Sequence, residues 1–240
     1  MSFELLLYPL FILAIIFSLY AQIKVSSTFK KYSRVGTVAR DSAVEATRRI
    51  LDGAGLRYVG IERVRGNLTD HYDPRANVLR LSDGVYSSTS AAAIGVAAHE
   101  AGHAMQHADG YFPIKLRSAL VPVTSFASKT AWIVIFAGFA ITLFASAAPS
   151  YEFGYSISMF GIALFSVTAL FQLVTLPCEF NASKRAMRAL RACGRYTDEE
   201  LSYARQVLSA AALTYVAALF VTIMQILRLL AIFSRGNRRR

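Results

Sequence analysis

The residues with the clearest chemical meaning in this 240-residue chain are His99, Glu100 and His103, which form the pattern His-Glu-x-x-His. On a helix, side chains four positions apart lie on one face, so both imidazole rings can reach a single ion. Neutral imidazoles suit Zn²⁺, which they bind at about 2.0–2.1 Å. Glu100 is rotated by one residue and can instead contact a water molecule in the open coordination position. The pattern therefore indicates metal-assisted hydrolysis, with Glu100 as the general base.

A catalytic zinc ion needs a third protein ligand. The extended metzincin pattern would place Gly and His at positions 106 and 109, but this chain has Gln106 and Asp109. The leading candidate elsewhere is Glu179, which follows an apolar segment and falls on the same side of the predicted membrane as His99 and His103. The alternative is that Glu179 is a surface acid at a helix N-terminus, where the helix dipole favours it. The residues alone leave both interpretations open.

The histidine pattern lies in an Ala-rich run that predicts a helix over 91–108, capped by Ser88, Thr89 or Ser90. The elements predicted before it are, in order, a helix capped by Thr37 and ending at Asp52, a strand at 58–64, a turn at Asp73-Pro74 and a strand at 77–82. We expect these elements to form a small α+β catalytic domain of the zincin-like type.

The composition predicts that this domain is attached to a membrane. Hydrophobic residues make up 55% of the chain and charged residues only 17%, whereas a soluble domain carries about 25% charged residues. Four segments are long and apolar enough to cross a bilayer: 3–23, 119–147, 153–176 and 207–233. The first has no basic residues before it and no small-residue cleavage site, which favours a retained anchor over a signal peptide. The expected fold class is a mainly α membrane protein with about four transmembrane helices.

These segments divide the chain into five predicted parts. They are an anchor at 1–23, a catalytic domain at 24–118, a helical hairpin at 119–176 with its turn at 148–152, a segment at 177–206 that supplies the third ligand, and a last transmembrane helix with a basic tail at 207–240. With four spans, 24–118 and 177–206 lie on the same side of the membrane. Both are rich in Lys and Arg, so we expect the active site on the cytoplasmic side of the plasma membrane. The tail residues Arg235, Arg238, Arg239 and Arg240 would then lie outside, which leaves the side of the tail open.

Attachment to a membrane also explains the excess of basic over acidic residues. The formal net charge is +11, and the basic residues cluster beside apolar runs, where anionic lipid and the positive-inside rule account for them. We therefore expect contact with the lipid bilayer and no nucleic-acid partner. The two cysteines, Cys178 and Cys193, form no CxxC pair and indicate no disulfide framework.

Several further runs are more specific than the histidine pattern alone: LTDHYDPR at 68–75, VLRLS at 78–82, AHEAGHA at 98–104, EFNAS at 179–183 and AAALTYVAA at 210–218. With these runs the chain resembles, over nearly its whole length, the YugP-like neutral zinc metallopeptidases, which are small integral membrane proteins of prokaryotes. The resemblance implies a gluzincin-like site with Zn²⁺ and favours Glu179 as the third ligand. The layout is more distantly similar to the HtpX-like membrane peptidases. Ser183 stands where those enzymes have an Asp that orients a ligand histidine, so this supporting contact differs here.

Other residues are candidates for supporting roles. The oxyanion of a peptide-bond hydrolysis needs a donor besides the metal, for which His71, Tyr72 and Arg185 are candidates; His71 is alternatively a hydrogen-bonded turn histidine. Ser183 and His107 are candidates for contacts behind the metal ligands. An extended substrate could pair with an exposed edge strand formed by Asn77, Val78, Leu79, Arg80 and Leu81. The alternative is an internal strand that supports the helix.

The predicted function is a membrane-embedded zinc metalloendopeptidase that acts on protein or peptide substrates, membrane proteins among them. The main alternative is a zinc-stabilised scaffold or adaptor without catalysis, which would need the metal ligands but not Glu100. A transporter or channel is disfavoured because the spans contain almost no ionisable residues. The sequence indicates no particular oligomeric state.

Overall fold

The computed structural model describes residues 3–145 and 147–238, without the side chains of 3–5, 148 and 235–238. Arg239 and Arg240 of the basic tail, and the side chains of Arg235 and Arg238, therefore lie outside the described part. The chain is mostly helical with one small sheet. Its elements are α1 Phe3–Tyr32, α2 Ala43–Gly53, β1 Gly60–Val64, β2 His71–Asp73, β3 Val78–Ser82, α3 Asp83–Tyr86, α4 Ala91–Ala108, α5 Phe112–Leu143, α6 Ala148–Ala192 and α7 Asp198–Arg238.

In the described part of the chain, four helices are long and apolar enough to cross a membrane: α1, α5, α6 and α7. This number agrees with the prediction. Their most apolar 18-residue windows have mean hydropathies between 1.6 and 2.3. All four are longer than the predicted spans. A membrane crossing needs about 20 helical residues, so the 45 residues of α6 exceed what a crossing requires. This length lets one continuous helix carry both an apolar segment and Glu179.

Two predicted helix boundaries are wrong. The predicted turn at 148–152 is helical, because α6 already begins at Ala148. The helix after Thr37 begins only at Ala43, with Ser42 as its N-cap. Ser42 and Glu45 satisfy each other's backbone N–H groups in a capping box, whereas the hydroxyl of Thr37 donates to the Thr89 carbonyl oxygen at 3.1 Å.

The sheet contains a strand that was not predicted, β2. The strand order is β1-β3-β2, with β1 parallel and β2 antiparallel to β3. Because β3 has a neighbour on each side, it is the central strand. The interpretation of Asn77, Val78, Leu79, Arg80 and Leu81 as an exposed edge is therefore wrong, and the alternative of an internal strand is confirmed. The edge strands are β1 and β2.

The chain divides into two compact units. One comprises Tyr20–Lys115 and Leu176–Thr214. Its core packs the aliphatic side chains of α2, β3, α4 and α6 together, including the fully buried Leu51, Leu79, Ile94 and Leu190. Most of the buried positions of α4 are alanine or glycine, so neighbouring helices can approach its backbone closely. A Cβ at Gly95 would lie 3.2 Å from that of Ala204 in α7.

The other unit contains Leu116–Thr175, Tyr215–Arg240 and the chain up to Leu19. Its α5 and α6 segments meet at small residues, since a Cβ at Gly161 would lie 2.8 Å from the backbone nitrogen of Ile135. Close approach through glycine is typical of packed membrane helices. Ile135 and Ile162 pack there with Leu229 and Phe233 of α7.

Candidate metal centre

The helix that carries the histidines forms as predicted. Ser90 is the N-cap of α4, and its side chain accepts a hydrogen bond from the backbone N–H of Ala93. His99 and His103 follow on one face of this helix. Their ring centroids are 4.8 Å apart and the ring planes are nearly perpendicular, at 86°. The two rings therefore converge on one point from different directions.

Glu179 of α6 lies at that point. Its Oε2 atom is 3.1 Å from His99 Nε2 and 3.7 Å from His103 Nε2. One ligand atom from each of the three residues can be chosen so that all lie within 4.8 Å of one another. Glu179 is only 2% exposed. Two imidazole nitrogens and a carboxylate oxygen are the donor set of many catalytic zinc sites, so this cluster fits zinc.

The second ring nitrogen of His103 is held by Gln106, one helical turn further along α4. Gln106 is fully buried, and its side-chain NH₂ donates to the Cys178 carbonyl oxygen at 2.8 Å. Since a backbone carbonyl only accepts, this contact fixes the orientation of the amide. Gln106 Oε1 then faces His103 Nδ1 at 2.9 Å and accepts its proton. The lone pair of His103 therefore lies on Nε2, the atom directed towards Glu179.

This hydrogen-bonded chain continues to the surface. The Gln106 NH₂ also donates to Asn181 Oδ1 at 3.0 Å, and Arg185 Nε donates to the same oxygen at 2.8 Å. The Arg185 guanidinium in turn pairs with Asp109. The contact with a donor-only guanidinium fixes which end of the Asn181 amide faces Gln106. Arg185 thus lies behind His103, at the far end of this chain.

His99 has its own supporting contact. Its Nδ1 atom lies 3.1 Å from the hydroxyl of Ser183 on α6. A hydroxyl can accept the Nδ1 proton, although without the negative charge of a carboxylate. Ser183, a predicted supporting residue, is therefore next to a candidate ligand histidine, and one turn of α6 separates it from Glu179.

Glu100 is oriented by the backbone of β2. The N–H of Tyr72 donates to Glu100 Oε2 at 3.1 Å. Burial raises the pKa of the Glu100 carboxyl group, and the neighbouring histidines only partly offset this effect. A carboxyl group with a raised pKa binds a proton more readily at neutral pH, which suits a group that accepts and returns one.

The surroundings of His103 favour positive charge. Burial disfavours its protonated ring, but the hydrogen bond to Glu179 and the charge of Glu100 together raise the pKa of His103 above its ordinary value. Two carboxylates face the histidine pair in a poorly solvated place. A bound divalent cation satisfies the same demand for positive charge.

Three of the remaining predicted residues, His71, Tyr72 and His107, make contacts outside the cluster of His99, His103 and Glu179. His71 is exposed at the start of β2, and its Nδ1 lies 2.8 Å from the Thr69 carbonyl oxygen, as a turn histidine does. The Tyr72 hydroxyl donates to Asn77 at 3.2 Å. The Tyr72 ring contacts the His107 ring, with their centroids 5.6 Å apart. These contacts occupy Tyr72 and His107 with each other and place neither in the ligand cluster.

Sequence reasoning missed Gln106, Asn181 and strand β2. From the sequence, Gln106 stands out only as a departure from the metzincin pattern. Its position three residues after His103, on a helix that is otherwise Ala-rich, was the available signal, because side chains at that spacing meet. Asn181 has a similar relation to Arg185, which lies four residues later on α6 and donates to its side-chain oxygen.

The comparisons with known proteins indicate a zinc family. Residues 7–234 match the family described as "Putative neutral zinc metallopeptidase". The chain belongs to this family. It is also 44% identical over 220 residues to the "Putative membrane protease YugP" of Bacillus subtilis (strain 168), an alignment that covers 92% of this chain and 93% of that protein. No solved structure matches the chain. The predicted resemblance is thus confirmed, zinc is the cofactor, and the comparisons support a protease function at a membrane.

Proposed function

We propose that the protein is a membrane-embedded zinc endopeptidase in which His99, His103 and Glu179 bind Zn²⁺ and Glu100 is the general base. One observation carries the proposal: the Nε2 atoms of both histidines lie near one buried carboxylate oxygen of Glu179, and the residue after the first histidine is a second carboxylate. Bound zinc supplies a Lewis acid that polarises the scissile carbonyl group and acidifies a water molecule.

The other catalytic roles, proton transfer and orientation of the histidine rings, belong to residues of the chain. Glu100 accepts the proton of the attacking water and later returns it to the leaving amine. Its hydrogen bond from the Tyr72 backbone occupies Oε2, so we assign the proton transfer to Oε1. Gln106 and Ser183 orient the histidine rings through their Nδ1 atoms. Arg185 lies behind His103 and pairs with Asp109, so we no longer assign it to the substrate oxyanion. His71 remains a candidate for that contact, and His107 for a supporting one.

The substrate in this proposal is an extended protein or peptide segment. Tyr72 lies on β2, an edge strand, and its N–H points away from β3 towards Glu100. We therefore transfer the proposed substrate edge from β3 to β2, where an added strand would pass close to the general base. Because the Tyr72 N–H already donates to Glu100, such a strand would pair with the Tyr72 carbonyl oxygen. The zincin-like character of the domain, the five-part organisation of the chain and the cytoplasmic position of the site are parts of the same proposal.

The alternative is a zinc-stabilised scaffold that does not cut its partners. It would need the ligands but would gain nothing from a carboxylate at position 100. The intact Glu100, tethered beside the ligands, favours the enzyme.

A direct test uses the detergent-purified protein on unfolded casein, with Zn²⁺, with a chelator, and as Glu100→Gln. Glu62→Gln, on the exposed face of β1, is the matched control. The proposal expects Glu100→Gln to bind zinc normally and to lose activity by about 10²–10⁴-fold, while the control and zinc-restored protein remain active. Equal activity in Glu100→Gln and the wild type would end the proposal. Zinc binding with no cleavage by any form would favour the scaffold.

A further inference from the structure

A basic groove lies between the C-terminal end of α1 and the first turns of α7. It has a volume of about 550 Å³ and is lined by three cationic side chains and several hydroxyls, among them Lys24, Lys31, Arg205, Ser27, Ser202 and Ser209. Grooves of this size hold small ligands. The groove lies within the unit that contains α4, but none of the metal-centre residues lines it.

The positive charge of the groove is not compensated by acidic side chains. No Asp or Glu is among its lining residues. Among the described side chains, no carboxylate forms an ion pair with Lys24, Lys31 or Arg205. Three cations with nearby hydroxyl donors, and without competing acids, are suited to bind a phosphate group.

The two helices that form the groove, α1 and α7, are held together by side-chain contacts. The Tyr32 hydroxyl of α1 donates to Gln206 Oε1 of α7 at 2.7 Å. The Tyr32 ring also stacks on Tyr203, with centroids 4.6 Å apart. Because these contacts hold the helices, the groove exists before a ligand enters it.

The position of the groove along the helices identifies its surroundings. In α1, residues 5–23 contain no Asp, Glu, Lys or Arg, and Lys24 is the first cation after them. In α7, the uncharged run 206–227 begins directly after Arg205. Both helices therefore change from charged to apolar beside the groove, which is the level of the lipid headgroups in a membrane-spanning helix.

We propose that this groove binds the phosphate of an anionic phospholipid. Lys24, Lys31 and Arg205 contact the phosphate, and the hydroxyls of Ser202 and Ser209 contact the phosphate and the glycerol. Ala210 and Leu213 line the apolar end of the groove, and Ile23 beside it is 67% exposed. This apolar surface can contact acyl chains, whereas it would not contribute to the binding of a free phosphate ion. The inference does not depend on the proposed peptidase activity.

Native mass spectrometry of the detergent-solubilised protein tests the proposal. The probes are phosphatidylglycerol and phosphatidylcholine with identical acyl chains. The wild type should bind phosphatidylglycerol at least tenfold more tightly, and the triple variant Lys24→Gln, Lys31→Gln, Arg205→Gln should lose this preference. The matched control is Lys30→Gln, Arg34→Gln, Arg57→Gln, which removes three exposed cations outside the groove lining and should retain it.

Several outcomes would overturn the proposal: equal binding of the two lipids by the wild type, an unchanged preference in the triple variant, or an equal loss in the control. Competition by inorganic phosphate at a concentration similar to that of the lipid would identify a free anion as the ligand and overturn the lipid assignment. Zinc content and thermal unfolding establish that each variant is folded. If the triple variant fails to fold, Arg205→Gln and Ser209→Ala replace it, and both should weaken phosphatidylglycerol binding at least threefold; unchanged binding in both would overturn the proposal.

Discussion

The backbone of Gly102 lies directly against the carbonyl group of Ala182. A Cβ at position 102 would overlap that carbonyl oxygen and would lie 3.0 Å from its carbon and 3.1 Å from the Ala182 Cα. Gly102 immediately precedes His103, and Ala182 immediately precedes Ser183. The glycine between the histidines of the pattern therefore sets how closely α6 approaches α4, and hence where Glu179 lies relative to the rings.

We expect Gly102→Ala to weaken zinc binding at least tenfold. The added methyl group meets backbone atoms, which cannot rotate away, so the two helices must separate. Overpacking of this kind costs about 1–3 kcal/mol of stability. Chelator competition measures the zinc affinity and thermal unfolding the stability. Gly53→Ala is the control, because no atom from outside its own stretch of helix lies within 4 Å of a Cβ there. Normal zinc affinity in Gly102→Ala would show that the close approach does not set the ligand geometry.

We expect Gln106→Met, which keeps the side-chain volume similar, to lower zinc affinity about 10–100-fold. The change leaves His103 Nδ1 and the Cys178 carbonyl without the amide that now joins them, so the ring loses its fixed tautomer and orientation. Zinc titration against a competing chelator measures the effect. The unfolding temperature in excess chelator separates it from a general loss of stability. If zinc affinity stays at the wild-type value while only the stability falls, Gln106 is structural and does not position His103.

The third-ligand assignment predicts that Glu179→Gln retains little zinc after dialysis against a weak chelator. The substitution keeps the shape of the side chain but removes the negative charge that neutral histidines cannot supply. Glu199→Gln, an exposed position at the start of α7, should keep full zinc occupancy. Atomic absorption gives the metal content directly. Full occupancy in Glu179→Gln would mean that another residue is the third ligand.

The cytoplasmic placement can be tested with introduced cysteines in a Cys193→Ser background, since Cys178 is fully buried. Arg75→Cys, in the exposed turn between β2 and β3, should react with a membrane-impermeant maleimide only after the cells are permeabilised. Ser150→Cys, at the exposed start of α6, should react in intact cells. The reverse labelling pattern would place the metal centre outside.

The sequence was most informative where the deciding interactions are local. The spacing of His99 and His103, the Ser90 cap and the four apolar runs each depend on neighbours within one or two helical turns, and the structure contains all of these features. Glu179 lies 80 residues from His99, and spacing alone left its role open until the family resemblance favoured it.

The missed features depend on contacts between distant segments. Strand β2 has only three residues and exists because β3 pairs with it, so no periodicity could reveal it. The helix expected from Thr37 begins later because the Thr37 hydroxyl bonds the distant Thr89, which leaves capping to Ser42. The orientation of the Gln106 amide, and hence its contact with His103, depends on the Cys178 carbonyl of another helix.

The hydrogen bond that orients the Glu100 carboxylate comes from the main-chain amide of residue 72, not from a side chain. Any amino acid with an N–H group can therefore supply it, whatever its size or polarity. Proline is the sole exception among the standard residues, because its ring nitrogen carries no hydrogen. Substitutions of Tyr72 by residues other than proline can thus remove the ring and its contacts, while the hydrogen bond that orients Glu100 is retained.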